Sequence, residues 1–378
     1  MSALRPRRSI ALAAALLLSL PGLAGAQDAA RLRQVEEVLA PLVERYGVSG
    51  AEAPVRQAVQ RLLPAWAQTR TDTAGNLWLS VGRGEPTVVF VAHLDEIGFR
   101  ITAVRDDGTL DAEAVGGLFP RLWEGRPALV HTGDRAVPAV FVPHDIPAAS
   151  AAPPAAPRGA VPEAGSSVRI DPGTADRAAT AALGIRVGQT ITSPKRYVRL
   201  LGARATGRSF DDRVGSAALV LAVRRLDPAR LRHTVVFLWS VREEIGLEGA
   251  YAAAAELGLR PARVHAVDTF VSADAPLEPA AFAVAPLGRG PVARALDNSS
   301  VTPPAYVDSL VALARARSIA LQVGTTNGGN DGSAFAGWGV PDVPLGWPLR
   351  YSHSPVEVAD LRDVAGLADL VLAAATAW

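Results

Sequence analysis

From Arg31 to Tyr46, apolar side chains recur at Leu32, Val35, Val38, Leu39 and Leu42, the spacing of a helix that buries one face. Ser49 is a candidate N-cap for a second helix from Ala51 to about Leu63. Gly75-Asn76 turns the chain into a short strand, Leu77 to Leu79, and the run Thr87 to Ala92 is continuously apolar and β-branched. Such a run suits a strand covered on both faces. Further on, helical spacing over Asp212 to Leu226, Leu247 to Leu257, Tyr306 to Arg317 and Asp360 to Ala375 alternates with strand-like runs at Thr234 to Trp239, Val264 to Asp268 and Ala320 to Val323. Strands alternating with helices predict a three-layer α/β domain.

Between about Phe99 and Leu200 the pattern changes. Short apolar pieces, Phe99 to Val104, Ala128 to Val130 and Val137 to Val142, are separated by glycine and charge, as in a small β-barrel. An Ala- and Pro-rich loop from Ile146 to Ser167 interrupts them, and strands resume at Ser167 to Ile170 and Gln189 to Ile191. The expected organisation is therefore a leader over 1–26, a catalytic domain in two parts, 27–98 and 201–378, and a barrel over 99–200 inserted between them.

The leader carries Arg5, Arg7 and Arg8, an apolar stretch from Ile10 to Leu20, and Ala24-Gly25-Ala26 before Gln27. Those are the three parts of an export signal, too short to span a bilayer, so the mature chain is expected to be exported, periplasmic or secreted, and free of the membrane. Apolar residues make up 49% and charged residues 20% of the chain, as in ordinary globular proteins. The net charge of +1 and the lack of a basic cluster beyond the leader give no reason to expect a nucleic-acid partner. There is no cysteine, so any metal must be held by imidazole and carboxylate.

Candidate ligands follow the strands, where ligands collect in open α/β sheets. His93 follows one strand, Glu243 and Glu244 a second, and Asp268 ends a third; Asp211 precedes a helix and His353 lies in a late loop. If the chain stays extended through Glu243-Glu244, the two carboxylates point to opposite sides, one toward a metal and the other toward a bound ligand. Each residue alone has an ordinary structural use, and Asp211 or Asp212 could simply cap the helix.

The segments Val91-Ala-His-Leu-Asp-Glu-Ile-Gly-Phe99, Ser209-Phe-Asp-Asp-Arg-Val-Gly215, Arg242-Glu-Glu-Ile-Gly-Leu-Glu-Gly-Ala250, Ala266-Val-Asp268, Gly328-Gly-Asn-Asp331 and Arg350-Tyr-Ser-His-Ser-Pro355 resemble, in order, the motifs of the tetrahedral or glutamyl aminopeptidases. Deblocking aminopeptidases and proteins labelled cellulase M fall in the same group of dinuclear zinc exopeptidases. The resemblance implies that Asp211 bridges two divalent ions, Zn²⁺ or else Co²⁺ or Mn²⁺, with His93, Glu244, Asp268 and His353 as the other ligands. It also implies Glu243 as general base and Asp95 as the carboxylate orienting His93, and it leaves Asp331 as a contact for the substrate's amine or a simple turn residue. Asn330-Asp331-Gly332 departs from the usual Thr-Asp-Ala, which bears on substrate detail.

The resulting expectation is an exported metallo-aminopeptidase that acts on peptides through a water activated between two metals, assembled as a homo-oligomer. The alternatives are a carboxypeptidase or deacylase on the same scaffold, or an inactive peptide-binding relative. A glycoside hydrolase would need two carboxylates flanking a glycosidic bond and no metal pair.

Overall fold

A computed structural model of the chain describes residues 21–133, 135–143, 167–275 and 284–377. Most of the expected export signal, residues 1–20, and nearly all of the Ala/Pro-rich stretch lie outside the described residues.

The strands are β1 (Arg70–Thr71), β2 (Leu77–Val81), β3 (Thr87–His93), β4 (Gly98–Val104), β5 (Leu110–Val115), β6 (Pro127–His131), β7 (Ala136–Phe141), β8 (Ser167–Asp171), β9 (Thr190–Thr192), β10 (Val198–Arg199), β11 (Arg204–Gly207), β12 (Thr234–Ser240), β13 (Pro261–Val271), β14 (Val292–Leu296), β15 (Gln322–Thr325), β16 (Leu345–Leu349) and β17 (Glu357–Asp360). The helices are α1 (Pro21–Val43), α2 (Ala53–Leu62), α3 (Arg177–Ala182), α4 (Phe210–Arg225), α5 (Glu248–Leu257), α6 (Pro304–Ala316) and α7 (Leu361–Thr376).

Eight strands form one sheet in the order β1-β2-β12-β3-β13-β16-β14-β15. At its centre β12, β3, β13 and β16 run parallel, so their C-terminal ends, carrying Ser240, His93, Asp268 and Leu349, open toward the same side. All seven residues of β3 are buried, because layers cover both faces. The pleat sorts them: Val88, Phe90 and Ala92 pack with α1, α4 and α7, while Val89 and Val91 pack with α5 and Phe335. Helix α4 is buried from Phe210 to Val223, which explains its apolar run from Ala217 to Val223.

The inserted module is a closed barrel, β4-β5-β8-β7-β6-β9, with its own core around Phe99, Trp123 and Phe141. It spans Gly98 to Thr192. The chain leaving it does not belong to the barrel: β10 pairs with β11, and β11 with β17, in a three-stranded sheet.

Two local expectations are corrected. Ser49 does not cap α2, whose N-cap is Glu52 without a side-chain bond; its hydroxyl is taken up by Asp95 instead. The Glu243-Glu244 pair is not on extended chain, because β12 stops at Ser240 and Arg242 has φ 54°.

Candidate active site

The parallel strands deliver the candidate residues to one place. His93 closes β3, and its Nε2 lies 3.1 Å from Asp211 Oδ1. His353, from the loop after β16, brings its Nε2 to 3.4 Å from Asp211 Oδ2. The two imidazoles thus face different oxygens of one carboxylate. Glu244 Oε2 is 3.4 Å from His353 Nε2, and Glu243 Oε2 is 3.9 Å from His93 Nε2. The glutamates therefore divide between the two histidines, although a turn and not strand alternation separates them.

Second partners fix both rings. His353 Nδ1 donates to the carbonyl oxygen of Gly117 at 2.7 Å, which turns Nε2 toward Asp211 and Glu244. His93 Nδ1 faces Asp95 Oδ1 at 3.5 Å. Asp95 does more than orient His93: it accepts from the backbone N–H groups of Glu243 and Glu244, both at 3.1 Å, and from Ser49 Oγ at 2.6 Å. Asp212 accepts from His93 N at 3.2 Å and from Gly215 N at 2.8 Å, so it braces the site from behind. Position 215 needs glycine, since a Cβ there would stand 2.4 Å from Asp212 Oδ1.

Asp268, at the same sheet end, is held by Arg294, 3.5 Å from Nη1, and accepts from Thr269 N. Asp331 is buried at 3% exposure and takes the hydroxyl of Ser240, with its other oxygen unpartnered. Arg350 forks onto Asp274 with two 2.9 Å bonds, anchoring the loop of His353. Trp347, Phe335 and Leu349, close to the motif loops, are wholly buried and belong to the core.

Electrostatics mark the cluster as short of positive charge. Burial lifts Glu244 and Asp331 each to about 7, and burial together with neighbouring Asp268 and Asp331 raises Glu243 well above the usual carboxylate range. Asp211 moves the other way, because hydrogen bonds from His353 and His93 outweigh its burial. Glu244 Oε1 is buried without a partner. His93, Asp211 and Glu244 each offer a ligand atom within 4.8 Å of the others, and this N/O donor set suits Zn²⁺, Co²⁺ or Mn²⁺. The residues present fit a divalent cation. Backbone strain gathers at the same spot: Ser209, Arg242, Tyr351 and His353 all have positive φ, each within two residues of a candidate ligand or being one.

Residues 75–370 match the sequence profile of the M42 glutamyl aminopeptidases. The chain belongs to that family. It is an aminopeptidase, a hydrolase of peptides. The lysyl aminopeptidase of Pyrococcus furiosus is 30% identical over 342 residues, 87% of this chain and 93% of that protein. Among solved structures, the TET1 peptidase of Pyrococcus horikoshii, described as assembling into a tetrahedron or a large octahedral shell, aligns with TM-score 0.80 and 31% identity over 91% of this chain and 99% of that one. An endoglucanase from Thermotoga maritima aligns with TM-score 0.69 and 25% identity, covering 89% and 95%.

Several residues of the aminopeptidase that touch the site carry no signal in isolation. Ser352 Oγ donates to Asp211 Oδ2 at 3.2 Å. Glu357 joins two ligand-bearing segments, accepting from Phe210 N at 2.6 Å and His353 N at 3.3 Å, and burial with Asp211 nearby lifts it to about 8. Gly117 comes from the barrel, so the inserted module helps build the site.

Proposed function

We propose that this aminopeptidase removes N-terminal residues from peptides with two divalent ions, Zn²⁺ by preference, which His93, Asp211 and His353 would hold. The observation that carries the reading is the facing of the two imidazole Nε2 atoms toward opposite oxygens of Asp211, at 3.1 and 3.4 Å. Glu244 and Asp268 complete the ligand set. When bound, such a pair supplies Lewis acidity toward the scissile carbonyl and makes a nearby water acidic enough to lose a proton at neutral pH.

The chain's own residues do the rest. Glu243, the more exposed of the pair at 13% against 3% for its side chain, takes the water's proton and returns it to the leaving amine. Cationic charge beside it would hold it ionised, offsetting the burial that raises it. Asp95 positions both glutamates through their backbone N–H groups and fixes His93 at the same time. Asp331, whose charge acts on Glu243, is the candidate contact for the substrate's free amine.

Export through the N-terminal signal and assembly into a homo-oligomer complete the proposal. Assembly is supported by the exposed apolar side chains Phe119, Leu122, Val140, Val187, Val198 and Leu201, which fall on the barrel and its exit. Glycoside hydrolysis is disfavoured, because the central carboxylates are engaged by histidines instead of flanking an open gap. Metal analysis followed by aminoacyl chromogenic substrates, free and N-blocked, tests the reading. Two ions per chain and cleavage of the free substrates alone are expected; one ion per chain, or release of the last residue of a peptide, overturns it.

A further inference from the structure

Next to the site, and continuous with it in sequence, lies a second buried cluster. Glu96 follows Asp95 directly. Its Oε2 is 2.7 Å from Lys195 Nζ and 2.8 Å from Arg208 Nη1, and its Oε1 is 3.5 Å from Arg213 Nη2. Ser209 Oγ also donates to it, and Gly47 N does so at 2.6 Å. No side chain among the four ionic partners is more than 1% exposed, so the fold has sunk three cations around one carboxylate.

The partners come from places that matter to both domains. Glu96 stands where the chain enters the barrel, two residues before β4, and Lys195 where it leaves, three residues after β9. The crossover is tight: a Cβ at Gly98 would stand 2.5 Å from Val48 Cγ2 and 3.0 Å from the Ile191 carbonyl oxygen, so only glycine fits. Arg208 reaches into the barrel core, its guanidinium 5.4 Å from the Trp123 ring centre, and donates to the Ile97 carbonyl oxygen at 3.3 Å. Arg213 donates to the carbonyl oxygens of Leu94 at 2.7 Å and Asp95 at 3.1 Å, and to that of Leu42 at 3.2 Å. Between them, Arg208 and Arg213 bracket Asp211 in sequence and grip the segment that carries His93 and Asp95.

We propose that Glu96, with Lys195, Arg208 and Arg213, is a positioning knot that ties both barrel crossovers to the two segments bearing His93 and Asp211, and so sets the spacing of the metal ligands. The proposal rests on the metal reading of His93 and Asp211 given above. None of the four touches substrate. They act through backbone: Glu96 fixes where β3 ends, and the two arginines hold the 94–97 turn against the start of α4. Ligand geometry tolerates little drift, which is why partners beyond the ligands themselves tune metal affinity.

The test uses the full mature chain and Zn²⁺ in competition with a chromophoric chelator, alongside thermal unfolding of the metal-free protein and separate kcat and KM. For Glu96→Gln, Zn²⁺ affinity is expected to fall roughly 10- to 100-fold, with kcat reduced and KM little changed. Lys195→Met, which leaves Glu96 its two arginines, is the milder variant if Glu96→Gln does not fold, and should show a smaller loss in the same direction; Lys195→Arg should restore most of it. Wild-type Zn²⁺ affinity in folded Glu96→Gln or Lys195→Met, with only the unfolding temperature lowered, would reduce the knot to a structural brace and overturn the proposal. Undiminished Zn²⁺ binding in Asp211→Asn would instead overturn the underlying metal reading.

Discussion

Glu96 and Glu244 are both buried glutamates, and their environments push them in opposite directions. Against its burial, Glu96 is held far below the usual carboxylate range by Arg208, Lys195 and Arg213, whereas burial lifts Glu244 to about 7. The leftover atoms differ too. Around Glu96 the unpartnered buried atoms include two donors, Nε and Nη2 of Arg208; around Glu244 they include two carboxylate acceptors, its own Oε1 and Oδ1 of Asp331, beside His93 Nδ1. One cluster brings its own counter-charge, and the other collects Asp211, Asp212, Glu243, Glu244, Asp268 and Asp331 around two histidines. A fold that encloses six carboxylates with only Arg294 and two histidines beside them has made a place for a cation from outside. The contrast separates a structural ion cluster from a functional one better than burial alone.

The comparison breaks most sharply at Glu243. If it carries the proton, Glu243→Gln keeps its metal and binds peptide but loses roughly 10² to 10⁴-fold in kcat, since an amide cannot accept the water's proton. Glu244→Gln, on the ligand side, should lose metal first and activity in consequence, with partial rescue by excess Zn²⁺ or Co²⁺. Metal titration of both variants decides the assignment, and loss of occupancy in Glu243→Gln alone would reverse it.

Asp95 belongs to both clusters in sequence and to the site in space. Asp95→Asn removes the charge facing His93 Nδ1 and turns an amide toward one of the two glutamate N–H groups. Zn²⁺ affinity should fall roughly 10- to 100-fold, and added metal should restore activity only in part. Unchanged affinity would leave Asp95 as a turn residue and His93 without its orienting partner.

Much of the site was legible in the chain because His93, Glu243, Glu244 and Asp268 follow or end strands whose own pattern is plain, while Asp211 and His353 were legible only through their motifs. The β-branched run before His93, the apolar run before Glu243 and the order of six motifs needed no tertiary information. The Glu96 knot was not legible, for a physical reason. Glu96, Lys195 and Arg208 have the local context of solvated charges, and they are buried only because the barrel docks against the 94–97 turn. Arg213 did offer a signal: it opens a helix that is apolar from Val214 to Val223 but for Ser216, so its charge had to find partners indoors. Ser49 misled for a similar reason, since a serine before a helix looks like a cap until a carboxylate from another strand claims it. The turn at Arg242 was hidden too, because a positive φ at a non-glycine residue leaves no mark in the sequence.

The smallest effect concerns a buried titratable group that belongs to neither cluster and so supplies a neutral baseline for both. His265 lies wholly buried in β13, stacked 4.9 Å from Phe90 with its Nδ1 2.8 Å from the Val343 carbonyl oxygen. Burial, with Arg263 nearby, pushes it down from 6.5 to about 3. Because the folded value is the lower one, only the unfolded chain takes up this proton between those limits. The stability His265 provides is therefore complete above pH 6.5 and is lost progressively as the pH falls toward 3. At pH 5.5 the loss from this one group is roughly 1 kcal/mol relative to pH 7.5 or above. Urea unfolding of the metal-free protein at the two pH values should show an acid decrement smaller in His265→Gln, which keeps a donor for Val343, than in the wild type by about that amount, since His131 and His233 titrate in both. An equal acid decrement in both proteins would place the acid sensitivity elsewhere, with the carboxylate cluster as the next group to examine.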